Sequence, residues 1–243
     1  MSTPTNLDPN ADSDAVPENL RGVLFDMDGT LVDSERLWTA SMDKVAAHLG
    51  GVVSSDTRAA MLGKPVPESV AMLLAEFGSS HSVDDTTAML LAITAEIFAT
   101  ELLWQPGAEE LIDATRAAGL RTALVTNSPR KLVDVALGLL GPHRFDATVC
   151  GDDVERGKPD PRAYLEAMDR LGLSAAQCLA VEDSPSGTQA AVSAGIPVLV
   201  VPSEVPVPEG PGRIFASSLL GATVDELRHI HSEFRRSVGR GPA

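Results

Sequence analysis

The sequence is poor in aromatic residues, at 4%, with one Tyr and two Trp. It is also poor in cysteine and in positive charge. Its two cysteines, Cys150 and Cys178, lie far apart. No C-x-x-C is present and the five His show no zinc-ligand spacing, which excludes a disulfide scaffold and a zinc module. Buried free thiols and a reducing, cytoplasmic setting are expected. Lys and Arg total 19 against 34 Asp and Glu, a formal charge of -15. That balance leaves no basic stripe for nucleic acid. No apolar run reaches the roughly 18 residues of a membrane span, so no membrane partner is expected. The start of the chain carries Asp8, Asp12, Asp14 and Glu18 with no Lys or Arg before Arg21. It has no apolar block, so it does not read as a secretory signal. Residues 1–19 are expected to be a disordered polar tail, and residues 233–243 a flexible one.

What the chain does have is alternation. Short apolar runs at Gly22–Asp26, Thr122–Thr126, Thr148–Gly151, Cys178–Val181 and Pro197–Val201 predict buried parallel strands. Helical patterns separate the later ones, at Gly107–Ala118, Pro129–Leu140, Pro161–Leu171 and Pro185–Ala194. Each ends at a glycine, and three begin at a proline. This alternation predicts an α/β fold, a Rossmann-like, doubly wound parallel sheet. The rhythm breaks between the first two strands. Trp38, Met42, Val45 and Leu49 mark one helix and Val70, Leu73, Leu74 and Phe77 a second. Met89, Leu90, Ile93 and Ile97 mark a third, opened by a capping box at Ser82 and Asp85. The expected division is an α/β core of residues 20–33 and 105–232 with an inserted all-helical unit at 34–104. The Pro-rich stretch Pro202–Pro211 reads as a surface loop.

Ligands of an open parallel sheet bind at the carboxyl ends of its strands. The first predicted strand ends in Asp26 and Asp28, the second in Thr126-Asn127-Ser128, and the fourth in Glu182-Asp183. Lys158-Pro159 follows the third. Four acids gathered together repel one another unless a cation intervenes, and a hard divalent ion with oxygen ligands, Mg²⁺, suits them. A hydroxyl, free backbone N–H groups and a Lys suit the oxygens of a phosphoryl group. The inventory predicts magnesium-assisted phosphoryl transfer.

The ordered set D-x-D-G-T-L-V-D-S, T-N, K-P and E-D resembles the haloacid dehalogenase superfamily over about Gly22 to Ile230. The helical insert is similar to the cap of subfamily I, and VEDSPSG (Val181 to Gly187) to the β-phosphoglucomutase-like branch. The resemblance implies roles. Asp26 is the nucleophile that forms an aspartyl-phosphate, and Asp28 the general acid and base. Thr126 and the N–H of Asn127 hold the phosphoryl, and Lys158 offsets its charge. Mg²⁺ is held by Asp26, the main-chain carbonyl of Asp28, and Asp183, with Glu182 inner- or outer-sphere. The family's phosphohexomutases place a His where this chain has Trp38 and an Arg where it has Val66. Hydrolysis is therefore expected, with phosphomutase chemistry as the alternative. The expected substrate is a small phosphorylated metabolite, such as a sugar phosphate. Trp38, Lys64 and Glu68 are the expected specificity residues. A cap that covers its own site needs no partner subunit, so a monomer is expected. A signalling receiver domain shares the acids, Thr and Lys, but its acceptor Asp follows a later strand and it has no helical insert.

Overall fold

The computed structural model describes residues 19–203 and 205–239. Most of the expected amino-terminal tail therefore lies outside the described residues. Six parallel strands form one sheet: β1 (Gly22–Phe25), β2 (Arg121–Val125), β3 (Ala147–Val149), β4 (Cys178–Glu182), β5 (Val198–Val200) and β6 (Arg213–Phe215). Their spatial order is β3-β2-β1-β4-β5-β6. The chain winds outward from β1 in one direction, returns to β1's other side at β4, and winds outward again. The reversal lies between β1 and β4, where an open α/β sheet leaves a crevice.

The central strands are apolar because helices cover both faces. All of β1 and β4 is buried. One apolar layer joins Phe25, Leu124 and Val181 to α5 (Ala108–Ala117) and α6 (Arg130–Leu140). The other joins Leu24, Val125 and Ala180 to α7 (Arg162–Leu171) and α8 (Pro185–Ser193). The alternation of Leu24 and Phe25 between the two layers is the period-two rule of a strand.

Between β1 and α5 stand α1 (Glu35–His48), α2 (Ser55–Met61), α3 (Val66–Glu76) and α4 (Val83–Glu101). They enclose their own apolar cluster, built on Val45, Val70, Leu73, Leu74 and Leu90. Ser82 Oγ accepts the Asp85 N–H at 3.0 Å, capping α4 as its sequence predicts. The two chain crossings into this insert run side by side. The Asp33 N–H donates to Leu103 O and the Gln105 N–H to Leu31 O.

Three elements differ from expectation. Helix α2 has no buried residue, so it leaves no apolar period to read. Strand β6 is three residues long at the sheet edge and only partly covered. Helix α9 (Val224–Gly239) runs through much of the stretch expected as a flexible tail. It continues because Leu227 and His231 are buried on one face, four residues apart. Among the described residues no helix is long and apolar enough to cross a membrane.

Candidate active site

Register brings the acids together. Phe25 pairs with Val181, so Asp26, one residue on, falls beside Glu182. The Asp26 N–H donates to Val181 O at 3.0 Å and completes that alignment. Across β1, Phe25 pairs with Leu124, which brings Thr126 level with the turn after Asp26. Gly29 follows at φ +81°, a left-handed conformation that glycine adopts at least cost. A Cβ at Gly29 would also overlap the Asp183 carboxylate. The glycine of D-x-D-G thus lets the chain turn and leaves room for the fourth-strand acid.

Lys158 reaches the centre of the cluster. Its Nζ donates to Asp26 Oδ1 at 2.5 Å, Val125 O at 2.7 Å and Glu182 Oε1 at 2.6 Å. Its side chain is 2% exposed, so these three acceptors use all three ammonium protons away from water. Burial works against the charge, yet Asp26 and Glu182 outweigh it and hold the Lys158 ammonium above its ordinary range. The loop that carries it is clamped by Asn127. Asn127 Oδ1 accepts the Lys158 N–H at 2.8 Å, and Nδ2 donates to Lys158 O at 3.0 Å. The Lys158–Pro159 peptide is cis.

The acids divide into two groups by what surrounds them. Glu182 is fully buried and saturated. Oε1 accepts from Lys158 and from the Tyr164 hydroxyl at 2.7 Å, while Oε2 accepts the Ser184 hydroxyl at 3.1 Å. The Lys158 ammonium also lies 5.1 Å from the Tyr164 ring centroid, so the one tyrosine touches both members of the pair. Asp183 accepts from Thr30 at 3.1 Å and Ser203 at 2.6 Å. Burial, with Glu182 adding, still pushes its carboxyl up to about 7. Burial likewise raises Asp26 well above the usual carboxylate range. Glu182, Asp183 and Asp28 add to that rise, against the pull of Lys158. Asp28 is the more open acid. Its Oδ2 takes the hydroxyls of Thr126 at 3.2 Å and Ser128 at 2.7 Å, and its Oδ1 takes the Trp38 indole N–H at 3.3 Å.

Raised carboxyls around a single buried ammonium mean uncompensated negative charge. Oxygens of Asp26, Glu182 and Asp183 lie within 4.8 Å of one another, all buried. Hard oxygen donors with surplus charge fit a divalent cation such as Mg²⁺. Asp26 and Asp183 are better disposed to hold it than Glu182, whose oxygens are already occupied. A second group, Cys150, Asp152 and Asp153, is different. Arg130 and Arg170 already pair with Asp153, and burial pushes the Cys150 thiol up to about 12.

Two hollows open from the acids beneath the helical insert. One, of about 810 Å³, is lined by Asp26, Thr126, Asn127 and Lys158. The other, of about 570 Å³, is lined by Asp183, Met42, Arg58 and Met61. Trp38, Lys64 and Asp28 border both. A hollow of about 1040 Å³ at the opposite end of the sheet, beside Arg21, Arg121 and Arg228, gathers none of these acids.

The ten sequence-predicted site residues therefore do not all converge. Asp26, Asp28, Thr126, Asn127, Lys158, Glu182 and Asp183 do, Trp38 reaches Asp28 directly, and Lys64 borders both hollows. Glu68 borders neither hollow and pairs with Lys64 at 3.7 Å, both side chains well exposed. Lys64 lies just before α3 and Glu68 in its first turn, with Pro65 at the cap between them. Sequence reading missed Ser128, Tyr164, Thr30 and Ser203 as partners of the acids. Two carried a signal: Ser128 ends the same strand as Thr126, and Thr30 is the threonine of D-x-D-G-T.

Comparison with known proteins gives the family and the fold. The family described as haloacid dehalogenase-like hydrolase matches residues 20–195. The phosphorylated carbohydrates phosphatase of Thermotoga maritima is 32% identical over 73% of this chain and 82% of its own. A plasmid-encoded phosphoglycolate phosphatase of Cupriavidus necator is 34% identical over 82% and 87%. The crystal structure of CbbY from Rhodobacter sphaeroides, in complex with phosphate, superposes with a TM-score of 0.75. It is 25% identical and covers 86% of this chain and 99% of its own. The chain belongs to the haloacid dehalogenase-like hydrolases and has their α/β fold with a helical insert.

Proposed function

We propose that the protein is a Mg²⁺-dependent phosphatase of small phosphorylated metabolites, acting through an aspartyl-phosphate on Asp26, with residues 34–104 as its cap. The observation that carries this reading is the Lys158 ammonium bound to Asp26 Oδ1. It fixes one carboxylate oxygen. Oδ2 takes no hydrogen bond from the described residues, and Asp26 borders the hollow.

In the first half-reaction, Asp26 Oδ2 attacks phosphorus as the ester P–O bond breaks, and Asp28 gives a proton to the departing oxygen. In the second, Asp28 takes a proton from water as that water breaks the acyl-phosphate bond. The Asn127 N–H, left unused by its own side-chain clamp, holds a phosphoryl oxygen, and the Lys158 ammonium, bound to Asp26, offsets the phosphoryl charge through space. Thr126 contributes on both sides of the site, since its hydroxyl also donates to Asp28. Asp26, Asp183 and the Asp28 carbonyl would hold Mg²⁺, which when bound would supply positive charge to offset that of the phosphoryl group. Glu182 keeps the lysine charged and in place.

Both hollows are large enough for a phosphorylated sugar, and Lys64 at their shared border suits a second anionic group. The similarity to a carbohydrate phosphate phosphatase and a phosphoglycolate phosphatase supports small phosphorylated substrates. Asp26→Asn keeps the shape and removes the nucleophile. It is expected to lower phosphate release from sugar phosphates by more than about a thousandfold with the fold intact. Undiminished turnover would rule out Asp26. Conversion of a sugar 1-phosphate to its 6-phosphate without free phosphate would replace hydrolysis with mutase chemistry.

A further inference from the structure

We propose that Trp38 is a positioning residue for proton transfer: its indole N–H holds Asp28 Oδ1 and thereby ties the aim of the proton donor to the seat of the cap. The inference rests on the phosphatase reading and adds to it a device made from a cap side chain.

Trp38 is in the first helix of the insert, ten residues after the acid it meets, and the contact measures 3.3 Å. Its ring is held on both sides. It packs edge-on against Phe98 at 6.1 Å, and it touches both the core apolar layer and the separate cluster of the insert. The ring thus has little freedom, and its N–H direction is set by packing. The two hollows meet at this side chain.

The chemistry of the donors divides the work between the two oxygens of Asp28. Oδ2 already takes two hydroxyls, Thr126 and Ser128, so the mobile proton belongs on Oδ1. An indole N–H can donate and cannot accept. It occupies one lone pair of Oδ1 and leaves the other to carry the proton towards the ester oxygen. When the P–O bond breaks and the Asp26–P bond forms, that proton moves to the leaving alkoxide and Oδ1 becomes anionic. The indole N–H then faces the new charge, so the hydrogen bond strengthens during the step.

The test uses Trp38→Phe, which keeps an aromatic ring against Phe98 and removes the donor together with the pyrrole ring, so a comparison of two esters separates the two losses. An aliphatic phosphate ester needs the proton, whereas p-nitrophenolate leaves well without one. Loss in kcat on glycerol phosphate or a hexose phosphate is expected to exceed the loss on p-nitrophenyl phosphate by about tenfold. Equal losses on both would mean that the ring acts by packing alone and would overturn the proposal. A second readout does not depend on turnover. In ¹⁵N-labelled protein the Trp38 indole resonance, identified by its disappearance in Trp38→Phe, is expected to shift in Asp28→Asn. An unmoved resonance would also overturn the proposal. A wild-type protein that hydrolyses no ester would sink the phosphatase reading, and the indole resonance would still decide whether Trp38 holds Asp28.

Discussion

At the scale of single residues, the site is governed by how many donors each acid receives. Glu182 is full, Asp183 is served by two hydroxyls and still raised to about 7, and Asp26 keeps one oxygen clear. Tyr164 is the residue on which this division depends most quietly. Tyr164→Phe removes a buried donor from Glu182 and leaves the ring beside Lys158. The expected cost is about 1–3 kcal/mol of stability, read by denaturant unfolding, with a smaller effect on Mg²⁺ binding than on turnover. Metal affinity falling in step with turnover would instead make Glu182 a direct ligand. At this scale the sequence was most legible where residue type and chemistry coincide. Asp26, Asp28, Lys158 and Asp183 stand at strand ends where no packing reason calls for charge. Tyr164 and Ser203 were not legible, because a lone tyrosine in a helix and a serine in a loop look alike whether or not they touch an acid. Glu68 shows the converse: it was expected as a specificity residue, but its carboxylate pairs with Lys64 at the surface.

At the scale of elements, apolar period decided what was visible. The central strands and α4 bury enough of one kind of residue to announce themselves. Helix α2 buries nothing, and β6 is a short, half-covered edge. The last turns of helix α9 fall in the stretch expected as a tail, and polar residues such as Arg228 and Glu233 interrupt the helix's apolar positions. Its anchor is Leu227, fully buried against the layer that holds Phe25 and Leu111. Leu227→Ala is expected to cost about 2–5 kcal/mol in thermal or denaturant unfolding. A loss below about 0.5 kcal/mol would show α9 to be a loosely attached appendage.

At the scale of the whole molecule, the dominant fact is charge. A formal -15 surrounds a site that is itself short of cations. The Asp183 carboxyl, raised from 3.8 to about 7, binds its proton more tightly folded than unfolded. In the metal-free protein this makes stability fall as pH rises from about 4 to about 7 and level off above. Mg²⁺ requires the carboxylate, so its binding displaces that proton. Affinity is expected to weaken by about tenfold per pH unit below about pH 7 and to be nearly constant above. Calorimetric titration at about pH 6 and about pH 8 checks the slope. Equal affinities would remove Asp183 from the metal site. At saturating Mg²⁺, about a hundred times its Kd, folding should gain about 2.7 kcal/mol, seen as a rise in Tm at the higher pH.

The order of the strands has a consequence for how the chain is made. Among the described strands β1 comes first along the chain, and its two neighbours are β2 and β4. The second neighbour is complete only at Glu182, about three-quarters of the way along. Throughout that interval the nascent protein carries a wholly apolar strand with one side open, the kind of edge that recruits other strands. Asp26 and Asp28 stand just past the end of that same strand. Until β4 is in place they set charge at the mouth of a sticky edge, which discourages the wrong strand partner.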